Sequence, residues 1–148
     1  MPEQRLKPTP QWTPTAAAGW KAGVISTVLA LAANLAALAV ATAAGAEMVV
    51  QPAGATETLA VGALLVIVTT VVPLALGTIL LVVRRWRGPK AWRALAAVGL
   101  TIGIVTVVGP LTTTASAGTK TALAFMHVAT GVIWFLVVRR AAAQERPT

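Results

Sequence analysis

The sequence contains no cysteine, which excludes disulfides, thiolate metal sites and dithiol redox chemistry. Charge is scarce as well: 11% of residues are charged, against roughly a quarter in an average soluble domain. The charge that is present avoids four long apolar stretches at about residues 22–44, 59–83, 94–111 and 121–138. None of the four holds an Asp, Glu, Lys or Arg, and no segment around them is long enough for a soluble domain. A helix of a soluble core keeps a polar face toward water, and these stretches have none.

What remains is 57% hydrophobic, with a mean hydropathy of +0.80. Hydrocarbon offers no partner to backbone N–H and C=O groups, so each stretch of about 18 or more apolar residues has to close its hydrogen bonds internally as a helix. The expectation is an all-α, integral membrane, four-helix up-and-down bundle, with consecutive helices as antiparallel neighbours because the connections are short. The domain spans residues 21–140. Residues 1–20, with Pro2, Pro8, Pro10 and Pro14, read as a flexible tail ending at Trp12 and Trp20 near the interface, and residues 141–148 as a second tail. Lys21, the first apolar run and Ala44-Gly45-Ala46 imitate a signal peptide, but the run exceeds the usual length of about 7–15 residues.

Eleven of the twelve Lys and Arg residues fall on one side of these spans: Arg5, Lys7 and Lys21; Arg84, Arg85, Arg87, Lys90 and Arg93; Arg139, Arg140 and Arg146. Lys120 stands alone on the other side, where Glu47 and Glu57 occupy the first outer loop. Basic loops are retained in the cytoplasm, so both termini are expected to be cytoplasmic in a multi-pass protein of the cell membrane. The net charge of +8 is then a topology signal, and the absence of a soluble basic domain argues against nucleic acid. The inner loop interleaves indoles with cations, Arg84-Arg85-Trp86-Arg87, then Lys90 and Trp92-Arg93. That pattern suits an interfacial anchor facing lipid, each cation contributing about 1 kcal/mol toward anionic headgroups.

His127, in the fourth span, is the one ionisable side chain inside an apolar run, and such groups are functional candidates. At about 1.5 Å per residue, His127 lies roughly 18 Å and Asn34 roughly 20 Å above the cytoplasmic ends, with Thr69 or Thr70 and Thr106 at similar heights. These residues make a candidate polar layer. One reading is a proton-responsive or ligand-contacting His, neutral at rest, with Asn34 and threonine hydroxyls around it. The plainer reading has His127 bonding Asn34 or a backbone carbonyl, for about 0.6 kcal/mol and a fixed register. A lone His supports neither bis-imidazole haem nor zinc, so no cofactor, metal or catalytic set is expected. Glu47 and Glu57 lack liganding spacing.

Gly99-x-x-x-Gly103, Gly19-x-x-x-Gly23 and the run Ala30, Ala33, Ala37, Ala41 permit close helix approach, within the bundle or across a homodimer. Pro73 and Gly109-Pro110 are expected to kink or end helices and to open a small cavity. The two Pro-Leu pairs, at 73–74 and 110–111, sit at similar depths in oppositely running spans, a faint sign of an inverted repeat.

Over most of residues 22–140 the chain resembles a family of small four-span membrane proteins of high-GC Gram-positive bacteria whose function is unknown. The resemblance rests on Asn34, Val49-Val50-Gln51-Pro52, Val72-Pro73-Leu74-Ala75-Leu76-Gly77, Val108-Gly109-Pro110-Leu111-Thr112 and Leu123-Ala124-Phe125-Met126-His127. It implies four spans and a cell-membrane home, and no reaction or substrate. Small drug/proton exchangers resemble the chain in span number, but their essential first-helix Glu has no match here. Two functional classes follow: a structural or interaction protein, associating with lipid, itself or a membrane partner; and a small transporter or channel subunit built on the layer around His127. No nucleophile, acid–base pair or metal set points to an enzyme.

Overall fold

Thr15 opens the first helix, its side-chain oxygen accepting the Ala18 N–H at 3.1 Å, one of the donors that a helix start leaves without a partner. The computed structural model describes residues 13–144, so Arg5, Lys7, Trp12 and Arg146 and the first three prolines lie outside the described residues. With that cap, α1 (Ala16–Ala43) begins six residues before the apolar run does, and residues 16–20 are helix rather than tail. α1 is stopped just past its C-cap Ala44 by Gly45, whose φ of +84° places it in the left-handed region that glycine enters without strain. Gly45 N–H donates to Thr42 and Ala46 N–H to Ala41, closing the last carbonyls in a Schellman motif.

The loop that follows α1 is partly extended. β1 (Val49–Val50) pairs antiparallel with β2 (Leu59–Ala60), so residues 59–60, expected to begin the second span, are strand instead. Gln51 exchanges two backbone hydrogen bonds with Thr114, at 2.9 and 3.1 Å, tying this loop to the one around Thr114. Beneath this ladder Met48, Val50, Val61, Val66 and Met126 form one buried cluster.

α2 (Ala63–Val83) carries Pro73 in its interior. A single 3-10 turn, Arg85–Arg87, and Gly88 at φ +71° lead directly into α3 (Gly88–Val105). The expected inner loop therefore shrinks to one turn, and Lys90, Trp92 and Arg93 lie on helix, started by Pro89 in its first turn. The third span is broken: after Thr106 and Val107 the chain resumes as α4 (Val108–Thr112). Pro110 has no N–H for the Thr106 carbonyl, and Gly109 N–H takes that carbonyl at 3.1 Å in a tighter turn. α5 (Ala117–Gln144) runs through the expected C-terminal tail as far as residue 144.

Four helical segments, Ala16–Ala43, Ala63–Val83, Arg85–Thr112 and Ala117–Gln144, are long and apolar enough to cross a membrane. The described chain is thus all-helical apart from one two-residue ladder. α5 packs along both α1 and α3, and α1 along α2, giving the lateral order α2, α1, α5, α3. α2 and α3 scarcely touch although one turn joins them, so the expectation that consecutive helices are close neighbours fails at this pair. In hydrocarbon no hydrophobic force closes such a gap, and helices associate by van der Waals fit and hydrogen bonds.

Glycines supply that fit. The Gly99 and Gly77 faces receive the indole of Trp134, and Gly23 lies against Thr78. Gly103 and Gly131 bring the backbones of α3 and α5 together: a Cβ on Gly103 would stand 2.8 Å from the His127 carbonyl oxygen. The Gly99–Gly103 face is consumed inside the molecule and is not a free homodimer surface. Trp92 also corrects the sequence reading. It does not face lipid but is fully buried, its Nε1–H donating to the Leu81 carbonyl at 3.0 Å. That carbonyl belongs to the last turn of α2, where no helical N–H reaches it, so the indole acts as a cap supplied by the next helix.

Candidate functional site

The strongest polar group in the first span is fully engaged on one side and unpaired on the other. Asn34 is buried, and its Nδ2 donates to Thr70 Oγ1 at 2.9 Å and to Thr130 Oγ1 at 3.0 Å, linking α1, α2 and α5. Thr130 gives its own proton to the Met126 carbonyl at 2.8 Å, so the atom facing it has to be a donor, which fixes the amide orientation. Asn34 Oδ1 is then left buried without a partner. An unpaired buried acceptor typically costs about 1–3 kcal/mol.

Asn34 is among the residues that line a cavity of about 580 Å³ between α2 and α3, backed by α5. Its walls are apolar, and Leu76, Leu80, Val98 and Ile102 on the two splayed helices are half exposed, which marks the opening. β1, β2 and Val61 close one end through Val50, Leu59 and Val61, and Trp134 lies toward the other.

His127 lines the same cavity, half buried, and does not bond Asn34. Its Nδ1 lies 2.8 Å from the Leu123 carbonyl oxygen. A carbonyl only accepts, so Nδ1 carries the proton and Nε2 of the neutral ring keeps a free lone pair. Thr69 and Thr106 also line the cavity, but both are exposed and donate to the carbonyls one turn back, Leu65 and Ile102, at 2.7 Å each. Neither joins the Asn34 network. Pro73, on the α2 wall, lacks an N–H and deprives the Thr69 carbonyl of its helical donor.

Thr130 is the member that sequence reasoning missed. The available signal was spacing: it follows His127 by three residues, on nearly the same helix face, in a span with few hydrogen-bonding side chains. Trp134 was missed too, although it bridges α5 to α3 by donating to the Leu95 carbonyl at 3.1 Å.

The remaining candidates lie elsewhere. Gly109 and Pro110 shape α4, at the same end of the bundle as the β1–β2 ladder, and neither lines the cavity. Around the turn between α2 and α3, Arg84, Arg87, Lys90 and Arg93 are exposed, and the Arg85 guanidinium stacks 4.1 Å from the Trp86 ring, itself among the most exposed side chains. Glu47 and Glu57 are exposed on the loop between α1 and α2. Among the described residues no three His, Cys, Asp or Glu side chains come together as a metal site would require.

Among the described residues, four helices long and apolar enough to cross a membrane suggest a protein of multi-pass membrane type. More particularly, residues 14–144 match the model of the family of unknown function DUF6069, and the chain belongs to that family. No curated protein and no solved structure matches it.

Proposed function

We propose that this chain is an integral protein of the cell membrane, crossing it four times with both termini cytoplasmic, and that it is an interaction protein rather than an enzyme. Its contact surface in this reading is the cleft between α2 and α3. The observation that carries the reading is the splay of these two helices around a cavity of about 580 Å³, a volume within the usual range of about 300–1,000 Å³ for small-molecule sites. Lipid chains are the medium that the half-exposed walls would meet, so an occupant enters sideways from the bilayer. The one-sided distribution of Lys and Arg supports the orientation. The exposed Arg84, Arg87, Lys90 and Arg93 beside Trp86 support attachment to anionic headgroups.

The test fills the cleft. Val98→Trp adds an indole to a half-exposed wall position outside the buried core. Native mass spectrometry from mild detergent should find a lipid-like adduct on the wild type that the variant loses. Equal retention in both proteins would contradict the reading.

A second reading is favoured by a separate observation: Asn34, Thr70, Thr130 and His127 line one cavity. A small transporter or channel subunit would use this layer to pass a permeant. It requires proteoliposome flux that His127→Leu abolishes with the fold intact, and the interaction reading requires no such flux.

A further inference from the structure

The apolar cleft runs toward a strongly basic turn. Its lining reaches Leu80 on α2 and Leu95 on α3, and the turn that joins these helices beyond them, with the start of α3, carries Arg84, Arg85, Arg87, Lys90 and Arg93. On α2 the exposed wall residues Leu76 and Leu80 are four apart, and Arg84 is the next position of that row. Its N–H still donates to the Leu80 carbonyl at 2.9 Å, so the helical path holds and the side chain leaves from the cleft face. Arg87 N–H in turn donates to the Arg84 carbonyl at 3.0 Å, and in such a 3-10 turn side chains three apart eclipse. Arg84 and Arg87, both exposed, therefore project to one side. Arg85 is engaged elsewhere, donating from Nη1 to the Val82 carbonyl at 3.3 Å and stacking on Trp86. Arg93 stands two residues before the wall residue Leu95, about 200° around α3 and so on the side away from the cleft. The acidic side chains among the described residues, Glu47 and Glu57, lie beyond the opposite end of α2.

We infer that the cleft holds an acyl chain of one anionic phospholipid whose phosphate is bound by Arg84 and Arg87. This rests on the cleft being the contact surface, and goes beyond it by naming the lipid and the residues that select it. The apolar walls take the chain, and two guanidinium forks at their end take phosphate oxygens through charge-assisted, bidentate hydrogen bonds. Arg side chains near a helix end reach headgroup level while their stems stay in the apolar layer. One leaflet is half of a hydrocarbon core about 30 Å thick, so a chain anchored at Arg84 follows about ten residues of α2. Leu80, Gly77, Leu76, Leu74 and Pro73 line the cavity over that stretch, and the chain ends short of the Thr70–Asn34 hydrogen bond. A choline or ethanolamine headgroup would bring its ammonium to a cluster of cations with no carboxylate beside it among the described residues, and the repulsion offsets the attraction of its phosphate. An apolar partner helix would cover the walls and leave both guanidinium groups unused.

The experiment offers the full chain, in mild detergent, equal amounts of phosphatidylglycerol and phosphatidylcholine with identical acyl chains, and reads the bound lipid by native mass spectrometry. The wild type should retain one phosphatidylglycerol, preferred by about tenfold or more. Arg84→Gln and Arg87→Gln should each lower that preference about fivefold, the effect of one cation near an anionic headgroup, whereas Arg93→Gln, which removes the same charge from the far side of α3, should leave it within about twofold. All three arginines are exposed, and circular dichroism checks that the variants stay helical. Equal loss in Arg84→Gln and Arg93→Gln would mean a diffuse surface field and overturns the assignment, as does equal retention of both lipids by the wild type. In either case, loss of both lipids from Val98→Trp still leaves the cleft as the contact surface. Phosphatidylglycerol retained by Val98→Trp, or by Leu76→Trp on the facing wall if the first does not fold, removes the cleft and the assignment together. Displacement of the lipid by an equal amount of glycerol 3-phosphate, which has the charge without the chain, also overturns the assignment.

Discussion

Replacing Gly103 by alanine should weaken the fold measurably although it adds one methyl group. The added Cβ would lie 2.8 Å from the His127 carbonyl oxygen and 2.9 Å from the Gly131 Cα, where ordinary contact begins at 3.4 Å. Both obstacles are backbone, so no rotamer change relieves them, and α3 has to withdraw from α5 by roughly half an ångström. A gap of about that size forfeits roughly a quarter of the dispersion well of each contact it opens. α5 is the main neighbour of α3, because α2 stands away from it, so little is regained elsewhere. Overpacking costs about 1–3 kcal/mol and the helical gain of Ala over Gly offsets about 0.5–1, leaving a net loss of up to about 2.5 kcal/mol; a clash with unyielding backbone belongs to the upper half of that range. Gly131→Ala meets its nearest atoms at 3.2–3.3 Å and should lose less, and Gly109→Ala meets nothing within 4 Å and should lose nothing. Unfolding by sodium dodecyl sulfate in mixed micelles, followed by circular dichroism, ranks the three. Equal midpoints for Gly103→Ala and Gly109→Ala would refute the reasoning.

Further substitutions separate the structural roles. Trp92→Phe leaves the Leu81 carbonyl without its cap and should cost about 1–3 kcal/mol in the same titration, whereas Trp86→Phe, on an exposed ring, should stay within about 0.5 kcal/mol. His127→Leu should change stability by less than about 1 kcal/mol, since its one hydrogen bond lies within α5; a larger loss would mean the ring holds another helix. Gly88→Ala forces a side chain to φ +71° between the 3-10 turn and α3 and should cost about 1 kcal/mol or more, seen as a lower thermal midpoint in detergent.

The four spans were legible because hydrocarbon demands uninterrupted apolar helix, and run length reports that directly. Their ends were less so. Thr15 extends α1 below the apolar run, and the ladder at Leu59–Ala60 takes residues that hydropathy alone assigns to a helix. Trp92 was misplaced because an indole beside arginines is the usual interfacial pattern. Burial followed from its reach to the uncapped Leu81 carbonyl, a tertiary fact. The cleft was hinted at only by Pro73 and Pro110. Hydropathy carries no information on which spans stand side by side, so the separation of α2 from α3 emerged from packing around the glycines of α3 and α5. Asn34, Thr70 and His127 stood out as polar groups in apolar runs, but threonines satisfy themselves on their own helix so often that Thr130 could not be singled out.

The most direct measurement exploits the absence of native cysteine. Nitroxides at Leu76→Cys on α2 and Val98→Cys on α3, in nanodiscs, report collisions with oxygen, which partitions into lipid, and with a water-soluble nickel chelate. A lipid-facing cleft predicts high oxygen and low nickel accessibility at both sites, and loss of oxygen accessibility at residue 76 when Val98→Trp fills the cleft. Low oxygen accessibility at both sites in the otherwise unaltered chain would mean that α2 and α3 close on each other. High nickel accessibility would mean a water-filled path, and either result contradicts the account.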